Sequence, residues 1–269
     1  MIQINGKPFD VKYFNDGTFR LHYDVDSKYE EDRILWLFDS EAECMLLWHV
    51  VKHIKYHKPY GRISLYCPFS PEGRMDRVKH NDEVFTLKYF ADFLNALPLY
   101  HIYTFDPHSH VTEALIDRLI VEMPWEDINT IKNMHPDATF FFCDEGAKKK
   151  YSIGMGSHPY LFGVKCRDWD TQQIYDLQII GDESLIKDHD ILICDDIVSR
   201  GTTLYLAAKQ LKEMGAQNIY VWISHTENTV LEHKIDGKSL LDYDYITKIY
   251  TTNSIYRAIH PKIEVIHEF

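Results

Sequence analysis

The sequence predicts an α/β protein with two lobes, each a mostly parallel β-sheet flanked by helices. The chain has 269 residues, and at roughly 150 residues per domain this length suits about two domains. Hydrophobic residues make up 45% and charged residues 26% of the chain, which excludes a disordered chain or a collagen-like fibre. Short apolar runs alternate with segments of helical periodicity, which is the pattern of repeated βα units.

In the first half of the chain, the clearest element is a helix at residues 40–54. Ser40 and Glu43 stand in the spacing of a capping box, and apolar residues follow at helical intervals. The next predicted elements are a strand at 63–67, a helix at 83–97, a strand at 99–105 and a helix at 112–121.

The second half repeats the alternation. Its predicted elements are strands at 139–143, 191–194 and 219–223, and a helix at 202–214 that stops at Gly215. Between the halves, residues 131–137 are polar, contain a proline and show no apolar period. We therefore predict an N-terminal lobe at 1–133 and a C-terminal lobe at 134–269.

The charge balance limits the partners. Lys and Arg number 29 against 41 Asp and Glu, a net charge of -12, which would repel the phosphate backbone of a nucleic acid. A small phosphorylated substrate stays compatible with this charge, because a few local cations and backbone N–H groups can hold it.

The cysteines and the apolar runs bear on the compartment. The five cysteines are an odd number without a CxxC pair, so we expect reduced thiols. The N-terminus lacks the features of a signal peptide, and no apolar run approaches the 18 residues of a membrane span. We expect a cytoplasmic protein without a membrane partner.

The strongest local signal lies at residues 191–204. A buried strand leads into Asp195 and Asp196, then into a polar turn and a helix. A helix N-terminus stabilises anions through its unpaired N–H groups and its dipole. The residues predicted to bind a ribose and its phosphate here are Asp195, Asp196, Ser199, Arg200, Gly201, Thr202 and Thr203.

This segment, DDIVSRGTT, resembles the phosphoribosyl-binding loop shared by type I phosphoribosyltransferases and ribose-phosphate pyrophosphokinases. Further segments resemble the pyrophosphokinases, and they occur in that family's order. They are Phe14-Asn-Asp-Gly17 (FxDGE), residues 68–77 (PYxxYARQDR), Asp106-Pro-His-Ser109 (DLHS), Asp144-Glu-Gly-Ala147 (DAGG) and Lys165-Cys-Arg167 (KxR of a mobile loop). The resemblance spans nearly the whole chain, to a last strand at 262–266, and it implies two phosphoribosyltransferase-like lobes.

The resemblance implies transfer of the β,γ-diphosphoryl group of ATP to the anomeric hydroxyl of ribose 5-phosphate. Phosphoryl transfer depends on alignment and on cations that neutralise developing charge. Lys165 and Arg167 are expected to close over the triphosphate, and His108 is the third catalytic candidate. The resemblance makes His108 and Asp144 the Mg²⁺ ligands, although histidine is an unusual ligand for this hard cation.

The resemblance also implies the ATP contacts. Arg74 and Asp76 match nucleotide-binding positions, while Phe14 and Asp16 match a stretch that contacts the adenine of a neighbouring subunit. We therefore expect a homodimer or a larger homo-oligomer. At three positions the chain departs from the family, with Glu72 for an aromatic residue, Met75 for Gln and Thr18 for Glu.

The phosphate loop departs from the family as well. Where the family usually has DTxGT or TGGT, this chain has Ser199-Arg-Gly-Thr-Thr203. The additional guanidinium of Arg200 suits an acceptor with more phosphate, so ADP-ribose, in NAD rebuilding, is an alternative to ribose 5-phosphate. A phosphoribosyltransferase would also account for the loop, and so would a non-catalytic regulatory paralogue.

Overall fold

The computed structural model describes residues 1–26, 28–167 and 174–269, with backbone alone at 165–167 and 174–176. The chain forms two compact units, Met1–Met123 and Pro124–Phe269. Each unit contains a sheet that is parallel in its greater part. None of the helices in the described part of the chain combines the length and the apolar character that a membrane crossing needs.

The first unit carries a six-stranded sheet in the order β2-β1-β5-β6-β7-β8. Strands β5 to β8 are parallel, and β1 and β2 are antiparallel additions at one edge. The strands are β1 (Ile2–Ile4), β2 (Lys7–Pro8), β3 (Val11–Tyr13), β4 (Phe19–Leu21), β5 (Glu31–Trp36), β6 (Arg62–Tyr66), β7 (His101–Phe105) and β8 (Leu119–Glu122). The helices are α1 (Ala42–His57), α2 (Thr86–Asn95) and α3 (His110–Leu115). Strands β3 and β4 form a separate hairpin.

Helix α1 buries one face against this sheet. Its buried residues follow the helical period and are Leu46, Leu47, Val50, Val51 and Ile54. The predicted capping box is wrong, because no side chain caps the helix. The carboxylate of Glu43 instead accepts hydrogen bonds from the indole N–H of Trp36 (2.8 Å) and the backbone N–H of Asp39 (3.0 Å). Glu43 thus ties the start of α1 to the end of β5.

The helix predicted at 112–121 is wrong in its second part. Helix α3 ends at Leu115, and the chain turns at Arg118 (φ 62°) into β8. The amide of Asn95 donates to the carbonyl of Leu115 (2.9 Å), and the guanidinium of Arg118 donates to the carbonyl of Leu99 (2.7 Å). These tertiary hydrogen bonds end the helix where the local apolar pattern would continue it.

The second unit carries a seven-stranded sheet in the order β11-β10-β9-β12-β13-β14-β15. All strands are parallel except β11, which pairs with β10 in the antiparallel sense. The strands are β9 (Thr139–Phe142), β10 (Tyr160–Arg167), β11 (Ile174–Ile180), β12 (Ile191–Val198), β13 (Ile219–Thr226), β14 (Lys248–Thr252) and β15 (Ile263–His267). The helices are α4 (Trp125–Met134), α5 (Glu145–Tyr151), α6 (Thr202–Glu213) and α7 (Thr229–Glu232).

The units divide before α4, earlier than the predicted boundary at 133. The contacts of α4 explain the difference. The ring of Trp125 meets that of Tyr151 edge to face, with centroids 6.2 Å apart, and the carboxylate of Asp127 lies 3.0 Å from Nδ1 of His267. The helix therefore packs on the second sheet. Residues 131–134 of the polar stretch are the last turn of α4, and residues 135–137 belong to its connection to β9.

Burial on both faces explains why strands of the second sheet could be predicted from the sequence. All four residues of β9 are buried, and so are the first four of β12. Strands buried on both faces of a parallel sheet read as continuous apolar runs. The cysteines whose side chains are described form no disulfide with one another, and Cys67, Cys143 and Cys194 are buried.

Candidate functional site

The sheet of the second unit reverses the direction of its connections between β9 and β12. Strand β9 connects through α5 to β10 on one side, and β12 connects through α6 to β13 on the other. In open α/β sheets, ligands bind outside the carboxyl ends of the strands at such a point. Phe142, the last residue of β9, lies opposite Cys194, so Asp144, Asp195 and Asp196 stand at this edge.

Asp195 and Asp196 lie within a strand, whereas the sequence predicted that the strand would end at residue 194. Strand β12 continues to Val198. Asp195 is half-buried and Asp196 is buried, and a carboxylate oxygen of Asp195 accepts a hydrogen bond (3.0 Å) from the backbone N–H of Asp196. The strand therefore fixes the directions of both carboxylates.

Lys150 is a cation beside Asp196 that no local feature of the sequence predicts. Its Nζ lies 3.5 Å from Oδ2 of Asp196, and the two side chains are 12% and 9% exposed. A buried carboxylate is costly unless it is paired, so this lysine stabilises the ionised form. Because Lys150 is the last of three consecutive lysines, it reads in the sequence as part of a solvated run.

Asp144 caps helix α5. Its Oδ1 accepts a hydrogen bond from the backbone N–H of Ala147 (2.9 Å), which places the carboxylate at the helix N-terminus. A capping bond of this kind orients the side chain. Asp144 thus has a defined direction at the carboxyl edge of β9.

Three residues, Ser199, Arg200 and Gly201, link β12 to α6. Gly201 is the N-cap of α6 in the left-handed conformation (φ 79°), and a Cβ atom there would lie 2.9 Å from Cδ2 of Leu240. Arg200 and Thr202 are exposed, and Thr203 is half-buried. The first N–H groups of a helix lack intrahelical partners, so the start of α6 presents donors at the same edge as the carboxylates.

Ser199 has a partner that the sequence analysis also missed. Its hydroxyl donates to Oε2 of Glu227 at 2.5 Å, and the hydroxyl of Thr229 donates to the same oxygen at 3.1 Å. Glu227 directly follows β13. Only the register of two neighbouring strands brings it to the loop, and no local sequence signal marks it.

Lys165 and Arg167 lie on β10, next to β9. In the backbone register, Lys165 is opposite Leu177 and Arg167 is opposite Ile174, with an irregularity between Cys166 and Arg167. The predicted clamp of two cationic side chains lies outside the described part of the structure, as do residues 168–173 of the predicted mobile loop.

In the first unit, the segment around Gly73 packs against His108. A Cβ atom on Gly73 would lie 3.7 Å from Cβ of His108 and 4.0 Å from Oγ1 of Thr112. Arg74 is exposed. His108 follows β7 but does not cap α3, because Ser109 is the N-cap and accepts from the backbone N–H of Val111.

Asp76 forms an ion pair with its neighbour. The Nε of Arg77 donates to Oδ1 of Asp76 at 2.8 Å, and the side chains are 71% and 11% exposed respectively. The hydrogen bond from Arg77 lowers the pKa of the Asp76 carboxyl, partial burial opposes this shift, and a hydrogen bond with Ser109 adds to it. Asp76 is therefore a carboxylate at neutral pH.

Phe14 and Asp16 lie at the tip of the β3–β4 hairpin. Phe14 is 54% exposed. Asp16 turns back onto Thr18, whose backbone N–H and hydroxyl donate to its Oδ1 at 2.9 Å and 2.7 Å, and these bonds lower its pKa. Between the hairpin and α1 is a cavity of about 580 Å³, lined mainly by aromatic and aliphatic side chains with His49 and His53.

The structure thus brings together two sets of predicted residues, one in each unit. At the edge of the second sheet are Asp144, Asp195, Asp196 and the loop Ser199–Thr203. Near the carboxyl ends of β6 and β7 are the segment around Arg74 and His108. Among the described residues, no three His, Cys, Asp or Glu side chains are grouped so that they could hold a metal ion.

Comparisons with known proteins match this chain to phosphoribosyl transferase domains and to ribose-phosphate pyrophosphokinases. The phosphoribosyl transferase domain family matches residues 159–249. The ribose-phosphate pyrophosphokinase of Mycobacterium leprae is 25% identical over 172 residues, 61% of this chain and 52% of that protein. For ribose-phosphate pyrophosphokinase 2 of Schizosaccharomyces pombe, the identity is 25% over 222 residues, 76% of this chain and 65% of that protein. This chain spans about half to two thirds of the length of these relatives.

A solved structure extends the comparison to the fold. The phosphoribosylpyrophosphate synthetase of Mycobacterium smegmatis matches with a TM-score of 0.75 at 19% identity, covering 96% of this chain and 85% of that one. This match confirms the predicted fold class.

Proposed function

Because the chain is related to the ribose-phosphate pyrophosphokinases, we propose that it transfers the β,γ-diphosphoryl group of ATP to the anomeric hydroxyl of ribose 5-phosphate. The oxygen of that hydroxyl attacks the β-phosphorus and loses its proton, and the bond from the β-phosphorus to the bridging oxygen of AMP breaks. The products are phosphoribosyl pyrophosphate and AMP. The observation that carries the proposal is the carboxyl edge of the second sheet, where Asp195 and Asp196 in β12 lead into the loop and helix α6 at a topological switch point.

In this proposal the second unit holds the sugar phosphate. The carboxylates of Asp195 and Asp196 accept hydrogen bonds from vicinal ribose hydroxyls, because an ionised carboxylate only accepts. The 5′-phosphate meets the N–H groups at the start of α6, where the helix dipole favours an anion. Gly201 permits the left-handed turn that leads into α6, at a position where a Cβ would meet Leu240.

The nucleotide is assigned to the first unit. The exposed guanidinium of Arg74 would form charge-assisted hydrogen bonds with an ATP phosphate, and the ionised Asp76 holds Arg77 beside it. Phe14 and Asp16 would contact the adenine bound by a neighbouring subunit. We therefore propose a homodimer at least, and light scattering in solution tests it.

Lys165 and Arg167 are proposed as the catalytic cations, together with His108. Positive groups at the transferred diphosphoryl group lower the barrier by neutralising the charge that builds on its oxygens. Closure of their segment would also exclude water, which otherwise competes as acceptor. Their positions on β10, next to the strand that leads to Asp144, support this assignment.

The residues at the carboxyl edges of the two sheets are compatible with magnesium. It prefers oxygen ligands and usually keeps several waters. Asp144 supplies a carboxylate. In the first unit, the buried hydroxyl of Thr112 lies near the segment that packs against His108 and makes no hydrogen bond within the described residues. We propose His108 as a ligand in the first unit and Asp144 as a ligand in the second, and bound magnesium would neutralise phosphate charge. The lack of a disulfide among the described cysteines supports a reducing compartment, the cytoplasm, for this activity.

ADP-ribose is the second acceptor that we consider. Arg200 is exposed in the phosphate loop, where a guanidinium can bind an additional phosphate group. Ribose 5-phosphate ranks first because the ribose-binding carboxylates are intact. If Arg200 selects the acceptor, Arg200→Ala should weaken a diphosphate acceptor more than a monophosphate one, and equal losses would remove it from the selection.

The direct test is to incubate the purified protein with ATP and Mg²⁺ and either ribose 5-phosphate or ADP-ribose, and to measure AMP and the mass of the sugar product. We expect AMP and a product heavier than the acceptor by one diphosphoryl group. AMP release no faster than in a protein-free blank, with both acceptors, would exclude the proposal. A phosphoribosyltransferase would instead consume phosphoribosyl pyrophosphate and a base.

Loss of a clamp residue should stop turnover without unfolding the protein. We expect Lys165→Ala to lower kcat by roughly 10²-fold to 10³-fold, the usual effect of removing one group that stabilises transition-state charge. The exposed Lys149 provides the control, as Lys149→Ala should keep the wild-type rate. An unchanged rate in Lys165→Ala would remove this residue from the mechanism.

A further inference from the structure

The phosphate loop is tied to the end of the neighbouring strand at two levels. The backbone N–H of Glu227 donates to the carbonyl of Val198 at 2.9 Å, which extends the pairing of β12 and β13. One residue further along the chain, the hydroxyl of Ser199 donates to Oε2 of Glu227 at 2.5 Å. Thr229 donates to the same oxygen, so Glu227 receives two hydroxyl hydrogen bonds.

Ser199 is the loop residue through which this tie acts. Gly201 has no side chain, and Arg200 is exposed, so Ser199 supplies the side-chain bond that links the loop to the end of β13. An O–H···O⁻ hydrogen bond is about twice as strong as a neutral one. It therefore restrains the turn from which the first N–H groups of α6 project.

The same contact bears on the departure of this loop from the family pattern. The related loops usually carry DTxGT or TGGT, and this chain has Ser199 where the DTxGT pattern begins with an aspartate. The carboxylate of Glu227 lies against that serine. Relative to the DTxGT pattern, the carboxylate that is absent at position 199 is supplied by Glu227, which follows the neighbouring strand β13.

We propose that Glu227 is a positioning residue of the phosphate loop and acts through Ser199. This inference rests on the proposed function in one respect, that the loop binds a phosphate. The carboxylate holds the hydroxyl proton of Ser199 and fixes the turn, so that the N–H groups of α6 point at the anion before it arrives. A preorganised loop binds its ligand more tightly, because binding need not order it.

The first test needs no ligand. Amide hydrogen exchange of Tyr205, whose backbone N–H donates to the carbonyl of Gly201 in the loop at 2.8 Å, should be about tenfold faster in Glu227→Ala than in the wild type, because the variant loses the charge-assisted hydrogen bond that helps to keep this segment closed. Glu232→Ala is the matched control, since Glu232 is an exposed glutamate on α7. Unchanged exchange in Glu227→Ala, or equal acceleration in both variants, would overturn the proposal.

The second test moves the carboxylate. Ser199→Asp alone places two carboxylates together and should weaken the binding of inorganic phosphate by about tenfold, since like charges in contact repel. In the double variant Ser199→Asp with Glu227→Ser, one carboxylate remains, and we expect affinity within about threefold of the wild type, the signature of two coupled sites. A double variant that binds phosphate no better than Ser199→Asp would overturn the inference.

Titration of the wild type with inorganic phosphate separates this inference from the proposed function. If the wild type binds no phosphate, the proposed phosphate loop fails, while the exchange experiment still decides whether Glu227 positions Ser199. If phosphate binds and Glu227→Ala binds it equally well, the proposed function stands and the role of Glu227 is excluded.

Discussion

Each unit has an ion pair at the carboxyl edge of its sheet, and the two pairs differ in the exposure of the cation. In the second unit, Lys150 is 12% exposed beside an Asp196 that is 9% exposed. In the first unit, Asp76 is 11% exposed, but its partner Arg77 is 71% exposed. The carboxylates are equally shielded, whereas one cation is enclosed by protein and the other is in solvent.

The exposure of the cation determines how much stability is lost when one partner of each ion pair is removed. A buried pair contributes little net stability, but removing one partner leaves an uncompensated charge, whereas an exposed pair is screened and contributes little in any case. Removing one partner of the ion pair at the edge of the second unit should therefore reduce both the stability of the protein and its binding of a ligand. The same kind of change at the edge of the first unit should reduce binding alone.

The largest effect should follow from breaking the enclosed pair. We expect Lys150→Ala to lower the free energy of unfolding by roughly 3 kcal/mol, because Asp196 stays buried without this cation. Urea denaturation followed by circular dichroism measures the loss. The neighbouring exposed Lys149 is the matched control, and Lys149→Ala should change stability by less than about 0.5 kcal/mol. Equal, small losses in both variants would remove the contrast between the units.

The next effect concerns the backbone of the phosphate loop. Gly201→Ala should cost about 1–2 kcal/mol for the left-handed conformation alone, and the close approach of Leu240 adds to this cost. Gly237→Ala isolates the conformational part, since Gly237 also has a positive φ (88°) but no atom within 4 Å of the position of a Cβ. Gly201→Ala should therefore be the more destabilising change. If thermal unfolding shows a lower Tm for Gly237→Ala instead, the side chain of Leu240 can move away from the added methyl group without cost.

The residues of the second unit also show what a sequence can and cannot predict. The strand, the loop and helix α6 were predictable, because burial imposes continuous apolar runs and a helix N-terminus has its own signals. Lys150 and Glu227 were not. Lys150 is distinguished from its lysine neighbours only by the direction in which α5 presents it, and Glu227 meets Ser199 only because β12 and β13 are adjacent.

In the first unit, the sequence also failed to predict where a helix ends. The apolar pattern of residues 112–121 favoured one helix, but the hydrogen bonds of Asn95 and Arg118 divide the segment into α3 and β8. Both bonds join residues that are distant in sequence. Local propensity was overridden by tertiary contacts, which is where single-sequence reasoning ends.

A smaller effect on stability is expected at the exposed edge. Arg74→Ala should change the free energy of unfolding by less than about 0.5 kcal/mol, because the side chain is exposed. The affinity of the Arg74→Ala variant for ATP should be about tenfold lower than that of the wild type, because the variant lacks one charge-assisted hydrogen bond. Isothermal titration with ATP measures this loss, and Lys79→Ala, another exposed cation nearby, should bind as the wild type does. A destabilised Arg74→Ala variant would contradict the separation of binding from stability in the first unit.

The smallest effect should come from the exposed pair, and its pH dependence has a definite sign. The folded state lowers the pKa of Asp76, chiefly through the hydrogen bond from Arg77. The stabilisation is therefore fully present above the unfolded pKa of about 3.9 and is lost as pH falls through the lower folded value. The difference in unfolding free energy between wild type and Asp76→Asn should be under about 1 kcal/mol at pH 7 and should vanish in acid.

Salt distinguishes this exposed pair from the enclosed one. Raising the ionic strength should reduce the effect of Asp76→Asn at pH 7, because water reaches Arg77, and it should leave the cost of Lys150→Ala nearly unchanged. The exposed Asp82 serves as the control for a general charge effect, and Asp82→Asn should show neither dependence. An Asp76→Asn effect that resists both acid and salt would mean that the Asp76 carboxylate is stabilised by its buried surroundings and not by Arg77.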